Sequence, residues 1–118
     1  MNTSTISKTL RLSSDDYYRI HMEIINPILP VKLSHKEIEI LSIFMSFTGT
    51  LAENRFSTTG KKLVREKLKL SHQSLSNYII SLSKKGFLIN NNNELSLLPI
   101  LFPNNKEQIY LIKLINNA

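Results

Sequence analysis

The sequence predicts a mainly α-helical fold with a small β-hairpin, an α+β class, and three observations predict it. Serine or threonine stands just before four separate amphipathic stretches, at Ser13, Ser34, Ser57 and Ser71. Apolar residues recur at spacings of three and four after each of these starts. A glycine, Gly86, is then followed by two short apolar runs separated by Asn90–Asn93. At 118 residues the chain has the size of one domain. It reads as a single domain over 1–118, with 8–30 and 104–118 as extensions to a central unit.

The opening, MNTSTISKTL, is polar. Lys8 to Leu12 alternates and is expected as a strand. Ser13 and Ser14 followed by Asp15 and Asp16 form a helix start, hydroxyl caps before acids that suit the positive helix end. Tyr17, Ile20 and Ile24 carry that helix to about Ile25, and Pro27 and Pro30 stop it. Ser34 and Glu37 make a capping box, S-x-x-E, for a helix over 34–48. That helix is apolar over much of its circumference (Ile38, Ile40, Leu41, Phe44, Met45), so it is expected at the centre of the core. Gly49 ends it, and Asn54 to Phe56 is expected as an extended link.

Ser57, Thr58 and Thr59 cap a helix through about Leu68, with Leu63, Val64 and Leu68 facing inward. Leu70 and Ser71 form a tight turn. Ser71 caps a helix from His72 to about Lys85, with Leu75, Tyr78, Ile79 and Leu82 at i, i+3, i+4, i+7 and Gly86 closing it. Phe87 to Ile89 and Leu95 to Leu98 read as paired strands around an asparagine turn, since Asn tolerates left-handed backbone. Gln108 to Ile115 is apolar at nearly every position. It is expected as a strand covered on both faces or meeting another subunit.

Charge is informative in its placement. The net charge is +6, yet residues 1–60 balance six basic against six acidic groups. Residues 61–85 hold seven (Lys61, Lys62, Arg65, Lys67, Lys69, Lys84, Lys85) against Glu66 alone, so this segment carries the whole excess. Such a block suits a polyanion partner or, more plainly, a solvated helix face. With no cysteine, disulfides, thiolate metal sites and cysteine nucleophiles are excluded. No apolar stretch is long enough to span a bilayer, so a cytoplasmic protein is the expectation, bacterial or in a phage-infected host.

Helix, three-residue turn, helix, glycine and hairpin over 57–90, with the wing tip at 91–94, form one unit. The first helix props the second so that its polar face projects outward. Gln73 and Asn77 suit adenine edges in the major groove, and His72 and Ser76 suit bases or phosphates, making these four the candidate base contacts. Lys61, Lys62, Arg65, Ser71, Lys84 and Lys85 are the candidate phosphate contacts, and no acid lies on the outward face.

Residues 61–99 (KKLVREKLKLSHQSLSNYIISLSKKGFLINNNNELSLLP) resemble the winged helix-turn-helix of MarR-type prokaryotic regulators. The resemblance rests on Leu68, Leu70, Ser71, Ser74 to Ser76, Ile79, Leu82 and Lys84 to Leu88. The chain is also similar to small phage-encoded members in its brevity and Asn/Ile/Lys-rich composition. The resemblance implies sequence-specific binding of double-stranded DNA in transcriptional regulation, commonly as a homodimer, with a wing that often carries Arg or Lys into the minor groove. Here the wing is Asn91, Asn92 and Asn93 beside Glu94, without positive charge. Winged helices also dock proteins, and a neutral wing together with the apolar 108–115 keeps a structural or adaptor role, such as a phage virion component, as the alternative. Catalysis, cofactors and a metal are not expected: His21, His35 and His72 are scattered, and Gly60-Lys61-Lys62 lacks the rest of a phosphate loop.

Overall fold

Ser13 begins the first helix as its sequence predicts. Its Oγ accepts the Asp16 N–H, opening α1 (Ser14–Ile25). The computed structural model describes residues 5–104 and 106–117. The polar opening over the first four residues and Asn105 of the late polar stretch lie outside the described residues. After α1 a 3-10 turn (Asn26–Ile28) holds Pro27, and the Asn26 side chain brackets the return. It donates to the Leu33 carbonyl (3.1 Å) and accepts the Leu33 N–H (2.8 Å).

The predicted capping box is present at the head of α2 (His35–Ser46). Ser34 Oγ accepts the Glu37 N–H, while the Ser34 N–H donates to Glu37 Oε1. α2 is the central core helix, with Ile38 and every residue from Ile40 to Met45 buried. α1 packs along it, and Met22 of α1, Val64, Leu75, Leu82 and Leu101 close the core around it.

The link after α2 departs from expectation. Gly49, at φ +61°, enters one extra helical turn, α3 (Thr50–Glu53), and 54–56 is a turn instead of an extended link. The reversal sets Phe56 against Phe44, rings stacked with centroids 4.3 Å apart. Burial of that aromatic favours the turn over an extended path.

Ser57 Oγ accepts the Gly60 N–H and caps α4 (Thr58–Leu68). Lys69 closes α4 in left-handed conformation (φ +55°), and the Leu70 N–H returns to the Arg65 carbonyl (2.9 Å). Ser71 Oγ then accepts the Ser74 N–H and starts α5 (His72–Lys84). Gly86 has φ +88°, and the Phe87 N–H bonds the Leu82 carbonyl, closing α5 with the left-handed glycine that such helix ends prefer.

The hairpin pairs β1 (Leu88–Asn91) with β2 (Glu94–Leu97), antiparallel, Leu88 opposite Leu97 and Asn91 opposite Glu94. Its loop is only Asn92-Asn93, both at positive φ (53° and 64°). A two-residue hairpin whose twist matches its strands needs positive φ at both positions, and asparagine tolerates it. A 3-10 turn (Pro99–Leu101) follows. The chain is therefore mainly helical with one small antiparallel sheet, the α+β class expected.

Three further local expectations are corrected. Leu63 is 39% exposed, turned out of the core that Val64 enters. Lys8 to Leu12 forms no strand and is exposed. The expected C-terminal strand at 108–115 is also missing. Among the described residues the sheet pairs only β1 with β2, so this segment has no ladder partner and no regular secondary structure, with Ile109, Leu111, Ile112, Leu114 and Ile115 all more than two-thirds exposed. A radius of gyration of 16.3 Å reflects these projecting ends, since a compact chain of this length has about 13–14 Å. Among the described residues no helix is long and apolar enough to cross a membrane.

Candidate nucleic-acid interface

α5 divides into two faces. Leu75, Ile79 and Leu82 are buried, while His72, Gln73, Asn77, Ile80 and Lys84 are exposed and Ser76 is half-buried. The helix contains no acid, so its outward face presents amides, hydroxyls, an imidazole and one ammonium. Ile80, 52% exposed, is an apolar spot on that face of the kind that suits a thymine methyl.

Gln73 and Asn77, one turn apart, are joined: Gln73 Nε2 donates to Asn77 Oδ1 at 3.0 Å. This leaves the Gln73 carbonyl oxygen and the Asn77 amino group as the outward acceptor and donor. Ser71 is committed to the helix, because besides accepting from Ser74 its hydroxyl donates to Ser74 Oγ (3.0 Å).

Lys85 departs from the role expected of it. Its Nζ donates to Glu37 Oε1 (2.6 Å) and to the Lys32 carbonyl (3.2 Å). Glu37 is buried at the head of α2, where the Ser34 N–H (2.8 Å) and the Ser81 hydroxyl (3.0 Å) also bond it. Burial alone pushes this carboxyl's pKa up, but hydrogen bonds from Lys85, Ser34 and Ser81 outweigh it and hold the pKa below the ordinary value. Glu37 is thus ionised and neutralises Lys85, which drops out of the phosphate-contact set. The capping box predicted Glu37's local bond, but its tie to the end of α5 joins residues 48 apart and leaves no local signal.

Lys61, Lys62 and Arg65 lie on α4, with Lys62 exposed and Lys61 and Arg65 half-buried. Lys61 borders a cleft of about 380 Å³ between the head of α4 (Ser57, Thr58) and the wing tip (Asn93, Glu94). The tip and the α4 lysine therefore face each other across one opening. Asn91, Asn92 and Asn93 are all exposed, as is Lys84 at the far end of α5. Lys67, another cation of the basic block, pairs with Asp15 of α1, which answers its charge.

The other histidines have local explanations. His35 pairs with Glu39 along α2 (3.0 Å). His21 is buried, its Nε2 2.7 Å from the Leu101 carbonyl and its Nδ1 2.5 Å from the Tyr110 hydroxyl. A carbonyl only accepts, so Nε2 carries the proton and Nδ1 accepts from tyrosine. Burial pushes the His21 pKa down, only partly offset by the Leu101 bond.

Gly60 also has a structural explanation. A Cβ there would lie 2.1 Å from the Arg55 carbonyl oxygen, so glycine is what lets α4 start against the preceding turn. No family model, curated relative or solved structure gives a significant match to this chain.

Proposed function

We propose that the chain is a winged helix-turn-helix protein that binds double-stranded DNA sequence-specifically and regulates transcription, with α5 in the major groove. The observation that carries this reading is the outward face of α5: acid-free, with Gln73 and Asn77 paired at its centre. Lys61, Lys62, Arg65 and Lys84 flank that face and would hold phosphates, while His72, Gln73, Ser76 and Asn77 would read bases. The asparagine wing contributes weakly, because its own strands and turn (88–97) carry Glu94 and no cation.

Selection of bound duplexes from a random pool tests the reading. Enrichment of a short motif containing adenine, lost with Asn77→Ala, is expected. A pool that stays random after repeated rounds contradicts it.

A specific observation favours a second reading, protein docking. Five large apolar side chains of 109–115 stand exposed, more than a monomer ordinarily leaves in one short stretch. Copurification in a stoichiometric protein assembly free of nucleic acid, lost on truncation after Tyr110, would establish it in place of DNA binding.

A further inference from the structure

Arg55 sits in the turn after α3 with its charge only partly answered. Nη1 donates to the Ala52 carbonyl (3.0 Å), and the guanidinium lies 5.1 Å from the centre of the Phe102 ring. Its Nε is buried and has no hydrogen-bond partner. Among the described residues no carboxylate comes within ion-pair distance of it. Burial pulls the guanidinium's pKa down, and the opposing influence comes from Tyr18 instead of from any acid.

Arg55 as a whole is half-buried, and guanidinium suits carboxylate and phosphate oxygens in particular. Arg55 forms the common wall of two clefts, of about 250 and about 630 Å³, which also share Ala52 and Phe102. The larger adds Tyr18 and Phe47 as ring surfaces beside the shared Phe102, and Ser14 and Thr48 as hydroxyls. Its volume is in the range of small-molecule sites, about 300–1,000 Å³. No residue of α5 lines either cleft, so the site is separate from the helix face described above.

We propose that this cleft binds a small organic anion, its oxyanion on the Arg55 guanidinium and an apolar ring among Tyr18, Phe47 and Phe102. The rings exclude water from the pair and set a preference for an aromatic body over a bare ion.

Titration of the full chain with benzoate, benzyl alcohol and inorganic phosphate, read at the Arg55 Nε–Hε resonance by nitrogen–proton NMR, tests this. Benzoate is expected to shift that resonance saturably with Kd near or below about 1 mM, and benzyl alcohol to bind at least about tenfold more weakly. Arg55→Met should abolish benzoate binding, and Arg55→Lys should weaken it. The wild-type titration stands alone if neither variant folds. An Arg55 resonance unmoved by benzoate overturns the proposal, as does an equal response to benzyl alcohol. Equal affinity for inorganic phosphate overturns the organic-anion assignment.

Discussion

The Gln73 amide donates to the Asn77 side-chain oxygen across one turn of α5, at 3.0 Å. The pair then faces outward with one acceptor, from Gln73, and one donor, from Asn77. Adenine offers the complement at its major-groove edge, N7 accepting and N6 donating. Gln73→Ala and Asn77→Ala should each cost about 1–3 kcal/mol of DNA affinity and relax preference at the same base position. Because the two act as a unit, the double variant should fall short of the sum by about 0.5 kcal/mol or more. Binding isotherms for the four variants of the cycle, on matched and mismatched duplexes, check this.

Lys85 and Glu37 should matter for stability and little for DNA. Lys85→Met leaves the Glu37 carboxylate buried without its cation and should cost about 2–3 kcal/mol of folding free energy. DNA affinity should change by less than about twofold, whereas Lys84→Met should weaken it more. Glu37's depressed pKa adds a sign. Its contribution is present above its ordinary value near 4.5 and is lost as pH falls through the lower folded value. Denaturant unfolding of wild type and Lys85→Met across the acid range reads out the stability effects, and binding isotherms of Lys85→Met and Lys84→Met read out the effects on DNA.

Gly60→Ala should destabilise by about 2–3 kcal/mol, because the added methyl meets the Arg55 carbonyl at 2.1 Å and backbone cannot step aside cheaply. Thermal melts check this. A melting temperature equal to wild type would show that the turn before α4 is loose.

His21 gives a second pH dependence. Its folded pKa lies below the ordinary 6.5, so the unfolded chain binds the proton more readily. Stability is then full above about pH 6.5 and declines as pH falls through the folded pKa. Melting temperature should therefore drop on acidification from pH 7 toward 5, and His21→Phe should remove the dependence in that window.

Much of the fold was legible because its signals are local. Ser13, Ser34, Ser57 and Ser71 each cap the helix they precede, and the burial of Ile38, Ile40, Leu41, Phe44 and Met45 follows from α2's apolar circumference. The hairpin followed from Gly86 and the asparagines, though its turn proved tighter than the four-asparagine run suggested. Illegible were features set by contacts far apart in sequence. Lys85's capture by Glu37, the close approach at Gly60 and the buried Nε of Arg55 all depend on packing. The C-terminal segment misled for a related reason: apolar residues mark a strand only where a sheet edge exists to receive it, and no such edge meets 108–115. The candidate base contacts were legible as the polar positions of an amphipathic helix, but the Gln73–Asn77 pairing depends on which rotamers the two side chains adopt.

The most direct test is fluorescence anisotropy of the full chain on its selected duplex at 50 and 200 mM monovalent salt. Four phosphate contacts, from Lys61, Lys62, Arg65 and Lys84, predict a slope of log K against log salt near about −3.6, a loss of affinity of about a hundredfold across that range. Lys61→Glu with Lys62→Glu should bring the slope to about −1.8 or shallower. Absence of binding at 50 mM salt, or a slope untouched by the double charge reversal, would contradict the assignment of α4 and α5 as a DNA-binding surface.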